Sequence, residues 1–169
     1  MNKFKKYVLM LTYLLIFTTL SSCSTRTIEV DLNYLINTVN EHGYDLENAL
    51  MEHKEINFDE IFGTHVLNYY LLNSENISIG IIESNNSDII YDDLVINYKE
   101  NFEPKESKGY KNIELSNDLS SKYVLDSKEY YVYVLKTKNI VFFLLSMSTE
   151  ELNAKTMTNL IDLNINFNK

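Results

Sequence analysis

Histidine and acidic side chains are the residues of this sequence that could bind a metal ion. Of the three histidines, none lies four residues from another, the spacing of a metal-binding pair on a helix. Two lie close to carboxylates, so a carboxylate–histidine metal site is one interpretation and exposed residues at helix ends are the other. The sequence favours the second and predicts no metal site. The residues concerned are His42, His53 and His65, with Glu41, Asp45 and Glu52.

A second acidic group, Asp88, Asp92 and Asp93, could suggest calcium. The twelve-residue loop with a central glycine that holds Ca²⁺ in helix–loop–helix sites is missing here. The pattern therefore predicts the capped, solvated start of a helix.

Motifs for nucleophilic catalysis are absent from the sequence. It contains neither the G-x-S-x-G turn nor the S-x-x-K motif with its partners. The only glycines are Gly43, Gly63, Gly80 and Gly109, too far apart to form a loop that holds phosphate. The sequence thus predicts no catalytic residue and no cofactor, and favours a protein that is not an enzyme.

The single cysteine, Cys23, ends a segment with a distinctive composition. Lysines near the start are followed by an apolar run from Tyr7 to Leu20 and then by Ser21, Ser22 and Cys23. A basic start, an apolar middle and a small-residue end are the three parts of an export signal. The apolar run of about 14 residues is shorter than the roughly 20 that span a bilayer.

Leu20-Ser21-Ser22-Cys23 resembles the lipobox of bacterial lipoproteins. The resemblance implies that the Cys23 thiol carries a diacylglycerol, that the chain is cut between Ser22 and Cys23, and that Cys23 becomes the mature N-terminus. More than one acyl chain gives stable membrane residence, so we expect a lipid-anchored protein on the outer face of the cytoplasmic membrane. An uncleaved anchor and an ordinary secretory signal are the alternatives.

These assignments divide the chain into a signal peptide (1–22), a lipidated cysteine with a short tether (23–29) and a single domain (30–169). Removal of residues 1–22, with three lysines and no acid, changes the formal net charge from −9 to −12. Nucleic-acid binding is excluded because it needs clustered lysine and arginine. The abundance of Asn, Ile, Lys and Tyr indicates an AT-rich genome, which together with the lipobox favours a Gram-positive bacterium.

Hydrophobic periodicity predicts the elements that must position any site. The strongest signal is a hairpin of 130–135 and 140–145, whose second strand is apolar on both faces and should lie centrally in a sheet. Ser148 and Glu151 have the spacing of a capping box for a final helix. The other predictions are helices at 28–40, 45–53 and 88–102 (capped by Asn86 or Ser87), a hairpin of 66–72 and 77–82 with a helix at 65–72 as the alternative, a surface loop at 103–109, and strands at 111–115 and 121–125.

This order predicts an α+β fold, in which an antiparallel sheet of about five to six strands packs against N-terminal helices and a C-terminal helix. The closing part, 130–165, resembles the strand–strand–helix ending of PsbP/Mog1-like domains found in bacterial lipoproteins. That resemblance includes no diagnostic motif, so it identifies no active-site residue in this sequence.

Tyrosines give the last candidate site. Tyr131 and Tyr133 point to the same side of one predicted strand, so they could form an aromatic recognition surface or pack in the core. The sequence leads to a binding or accessory module at the cell envelope. A partner-dependent assembly or immunity-type protein of an envelope machine is the alternative, and an enzyme with an unusual site is the third hypothesis.

Overall fold

A computed structural model describes residues 30–102, 111–117, 119–147 and 149–165. The predicted signal peptide, the cleavage site, Cys23 and the tether lie outside these residues, as do the predicted loop 103–109 and Ser148 of the capping box. The elements in chain order are α1 (Leu32–Glu41), β1 (Glu47–Asn48), α2 (Ala49–Glu52), α3 (Phe58–Phe62), β2 (Val66–Asn73), β3 (Ile77–Ser84), α4 (Ser87–Phe102), β4 (Lys111–Ser116), β5 (Ser120–Asp126), β6 (Tyr130–Thr137), β7 (Ile140–Met147) and α5 (Glu151–Leu163).

The strands form one seven-stranded antiparallel sheet in the order β1-β2-β3-β7-β6-β5-β4. The predicted α+β class is confirmed, with somewhat more strands than expected. Strand β7 occupies the middle of the sheet, as its unbroken apolar sequence predicts. After β3, helix α4 carries the chain to the far edge, and β4 to β7 return as a meander to pair with β3.

Helices cover both faces of the sheet, which gives three layers. Helices α1 and α5 pack on one face through Leu35, Val39, Met157 and Ile161. On the other face, α2, α3 and α4 enclose a second core, to which α4 contributes Ile90. The predicted cover of the sheet by N-terminal helices and a C-terminal helix is therefore confirmed.

The region between α1 and β2 differs from its prediction. Instead of one helix over 45–53, strand β1 pairs with the edge of β2, and the side chain of Asn48 then caps α2 by accepting from the Met51 N–H at 3.2 Å. The extra helix α3 begins after Asn57, whose side chain accepts from the Glu60 N–H, and ends at Gly63 in the left-handed conformation. Short polar caps thus divide a stretch whose periodicity alone predicts one helix.

The predicted hairpin of 66–72 and 77–82 is confirmed as β2 and β3, whereas the start of the final helix differs from its prediction. Residues 66–73 form a strand, so the alternative helix at 65–72 is wrong; hydrogen bonds to β3 determine the conformation of this segment. Helix α5 begins at Glu151 after Glu150, whose side chain makes no capping hydrogen bond. Tyr44 instead donates to that carboxylate at 3.2 Å, so the Glu150 side chain makes a tertiary contact in place of a capping hydrogen bond.

Candidate functional site

A trough of about 170 Å³ lies between α5 and the outer strands β4 and β5. Ile113 and Val124, which face each other across the two strands, form its apolar floor. Strand β4 is the edge of the sheet and lies beyond the cover of α5, so this part of the sheet is open. The residues that line the trough are Lys111, Ile113, Lys122, Val124, Asp126, Tyr131, Lys155, Asn159 and Asp162.

An ion pair closes one end of the trough. Lys155 Nζ lies 2.8 Å from Asp126 Oδ2 and 2.5 Å from Glu151 Oε1. It also stands 5.4 Å from the centre of the Tyr131 ring. Burial acts to lower the pKa of Lys155, but the hydrogen bonds that its ammonium donates to both carboxylates, and the negative charge of those carboxylates, outweigh burial and raise the pKa, so the ammonium form persists.

A second, more buried ion pair closes the other end. Lys122 Nζ donates to Asp162 Oδ2 at 2.8 Å, and only 10% of the Lys122 side chain is exposed. The hydroxyl of Tyr133 donates to Asp162 Oδ1 at 2.7 Å, so both carboxylate oxygens are engaged. Since Lys122 and Asp126 are four residues apart on β5, the two pairs are separated by roughly 13 Å along the strand.

The structure contradicts an exposed surface at Tyr131 and Tyr133. They do share one face of β6, but α5 covers that face, so Tyr131 is 6% exposed and Tyr133 is fully buried. The Tyr131 hydroxyl shares a 2.8 Å hydrogen bond with Thr158 Oγ1. Burial raises the pKa of both hydroxyls above the ordinary value, so each remains a neutral hydrogen-bonding group at physiological pH.

The three histidines lie at separate places. His42 Nδ1 is 2.7 Å from the Thr38 carbonyl, and His65 Nδ1 is 2.7 Å from Asp59 Oδ2. His53 lies 3.5 Å from Glu47. No cluster of three or more potential metal ligands occurs within the described residues.

The acidic start of α4 makes a structural contact. Asp88 forms an ion pair with Lys136 at the end of β6, while Asp92 and Asp93 are exposed on the helix. Ser87, one of the two predicted caps, donates its hydroxyl to the Lys138 carbonyl and so ties α4 to the turn after β6.

Sequence reasoning missed the trough residues Lys122, Asp126, Lys155 and Asp162. One signal was present: in α5 the charges at 151, 155 and 162 recur at a helical spacing, as do leucines on the other side. The hydrophobic periodicity of the final helix predicts that Leu152, Leu160 and Leu163 lie on its core-facing side with Met157 and Ile161, but the three leucines are exposed. Met157 and Ile161, which belong to the same predicted side, do pack against the sheet, together with Ala154.

Comparisons with protein-family models, curated proteins and solved structures find no match. Among the helices of the described ranges, none is long and apolar enough to cross a membrane. The chemistry of the trough is therefore the basis for interpreting the site. Paired charges around an apolar floor can bind and orient a ligand.

Proposed function

We propose that the protein is a lipid-anchored module on the outer face of the cytoplasmic membrane that binds a component of the cell envelope in the trough. The observation that carries the binding role is the apolar floor of half-buried Ile113 and buried Val124 between two ion pairs. An apolar floor with polar groups at fixed positions is the usual composition of a ligand site.

The sequence supports the membrane anchor. Leu20-Ser21-Ser22-Cys23 has the lipobox pattern, and Val30, where the described fold begins, is seven residues after Cys23. Seven residues reach at most roughly 25 Å when fully extended. A domain on such a tether stays close to the bilayer and meets ligands at its surface.

Replacement of Cys23 by Ala is expected to abolish the mature, membrane-bound form, because no other residue of the sequence offers a thiol for the lipid. The variant should be found as an uncut precursor or outside the membrane fraction. The measurement is fractionation of cells that express each form, with mass spectrometry of the mature N-terminus. Ser24→Ala, next to the cysteine, is the control and should remain lipidated. A Cys23→Ala protein that stays in the membrane at the mature size would refute the anchor.

The trough can be tested with a photo-crosslinking amino acid at Leu115, which is 42% exposed and lies opposite Lys122 on the trough side of β4. Leu67 on β2 is a matched control, since it is 41% exposed. In intact cells we expect an adduct at position 115 and none at position 67. Lys155→Glu should weaken the adduct because it reverses the charge at one end of the trough.

The adduct also identifies the kind of ligand. A small-molecule or lipid adduct supports a ligand-binding module, whereas one stoichiometric membrane protein supports the alternative role as an assembly or immunity-type partner. Equal labelling at positions 115 and 67, or none at either, contradicts a binding role for the trough.

A further inference from the structure

Helix α5 directs its charges toward the trough and its leucines toward solvent. Glu151, Lys155 and Asp162 are engaged in the trough ion pairs, whereas Leu152 and Leu163 are each 81% exposed. A helix on a protein surface ordinarily shows the reverse arrangement, with charges outside. The outer side of α5 is consequently uncharged and partly apolar.

Helix α1 extends this uncharged surface. It lies antiparallel to α5, because Asn164 donates to the Tyr34 hydroxyl at 2.7 Å near one end and Asn153 donates to the His42 carbonyl at 3.2 Å near the other. Its exposed residues between the charged ends Asp31 and Glu41 are asparagines. The uncharged face consists of Asn33, Asn37, Asn40, Leu152, Thr156, Asn159, Leu160 and Leu163.

The surface on the opposite side of the sheet, formed by α3 and α4, is acidic. We call it the acidic face, and its exposed acids are Asp59, Glu60, Asp88, Asp92, Asp93 and Glu100. Exposed apolar side chains occur here too, including Ile61 and Ile96, but they lie among acids. Charge, rather than apolar area, therefore distinguishes the two faces.

The entry point of the chain lies beside the uncharged face. The Tyr34 hydroxyl, in the first turn of α1, donates to the Leu160 carbonyl at 3.3 Å. Val30 precedes this turn, so the tether reaches the domain next to the end of α5 that carries Leu160 and Leu163. A short tether from the bilayer thus brings these leucines near the lipid.

We propose that the bilayer itself covers the uncharged face, so that α1 and α5 lie against the membrane and the acidic face points away from it. The inference rests on the lipid anchor proposed above. Anionic headgroups repel the acidic face and tolerate the uncharged one, which fixes the orientation. Because the anchor already supplies a high effective concentration, the exposed leucines need to contribute only a weak contact.

This orientation places the trough at the membrane surface. The trough lies on the same side of the sheet as α5, so Lys111, Lys122 and Lys155 come close to the headgroup region. A ligand that lies in or on the membrane would then reach the trough without leaving the bilayer surface.

The orientation can be measured on the lipidated protein in vesicles of phosphatidylcholine and phosphatidylglycerol. Leu163→Cys and Ile96→Cys each introduce one reactive thiol, since the Cys23 sulfur is held in the thioether. A fluorophore at position 163 is expected roughly 5–10 Å below the headgroups, by depth-dependent quenching with spin-labelled lipids. The matched label at position 96, on the acidic face, should remain in water.

A second pair of variants tests the leucine contact. Leu160→Glu, with the label at 163, should return that label to water, whereas Ile89→Glu on α4 should leave it embedded. Both positions are exposed, so both variants should fold, and circular dichroism checks this.

Results that would refute the lipid anchor differ from results that would refute only the orientation. Protein that fails to float with the vesicles refutes the anchor and the inference together. Protein that floats with both labels in water, or with the label at 96 embedded, refutes the orientation alone. A label at 163 that is shielded in native membranes and exposed in protein-free vesicles also refutes it, in favour of a protein partner.

Discussion

Replacement of Gly80 by Ala is expected to lower the free energy of unfolding by about 2–3 kcal/mol, the cost of overpacking a filled core. Gly80 lies in β3 directly opposite Phe143 in β7, and the Phe143 ring covers the glycine. A β-carbon at position 80 would lie 2.1 Å from ring atoms of Phe143, so the ring would have to leave its place in the core. Urea denaturation gives the change in free energy.

Two further variants test whether the contact with Phe143 causes the loss of stability in Gly80→Ala. Ser78→Ala, on the same strand and the same face, should change stability little. Gly80→Ala combined with Phe143→Leu should be more stable than the sum of the two single changes predicts, because the smaller side chain makes room for the new methyl group. Full additivity would show that the contact with Phe143 is not what requires glycine at this position.

The hairpin of β6 and β7 could be predicted because the information is local. Tyr130–Thr137 and Ile140–Met147 are runs of strong strand formers separated by a short polar turn. An unbroken apolar run must be covered on both faces, which also predicts the central position of β7. The pattern does not show which helix packs on which face of the sheet. It therefore could not predict whether Tyr131 and Tyr133 are exposed or buried.

The trough could not be predicted because its parts come from distant segments. Lys122 and Asp162 are 40 residues apart, and their contact requires that α5 pack on β6 and β7 with its charged side toward β5. A lysine in a strand is ordinarily exposed, so the sequence around Lys122 gives no sign of its burial. The same packing exposes Leu152 and Leu163, because Ala154, Met157 and Ile161 form the side of α5 that fits the sheet.

The trough and the uncharged face have one common cause. Helix α5 places its charged residues beside β5, where they pair with Lys122 and Asp126, and the outer side of the helix is then left to leucine and small polar residues. The ion pairs shape the proposed binding site, and the same rotation of α5 creates the proposed membrane contact. A change that rotated α5 would therefore affect both.

Asp162 is the residue of the trough whose loss should cost most. Its carboxylate accepts from Lys122 at 2.8 Å and from the fully buried Tyr133 hydroxyl at 2.7 Å. Asp162→Ala removes the shared acceptor of a largely buried ammonium and a buried hydroxyl, and we expect a loss of about 2–4 kcal/mol in unfolding free energy. Asp93→Ala, on the exposed side of α4, is the control and should fall within about 0.5 kcal/mol of the wild type.

A second variant tests how much of this loss in unfolding free energy comes from the hydrogen bond between Tyr133 and Asp162. Tyr133→Phe removes only the hydroxyl, so it should cost about 1 kcal/mol in the wild-type protein and much less when Asp162 is already Ala. That non-additivity, measured by a double-mutant cycle in urea, is the signature of a hydrogen bond between the two side chains. If Tyr133→Phe costs the same in both backgrounds, the hydroxyl does not depend on Asp162, and the buried end of the trough is not built around this carboxylate.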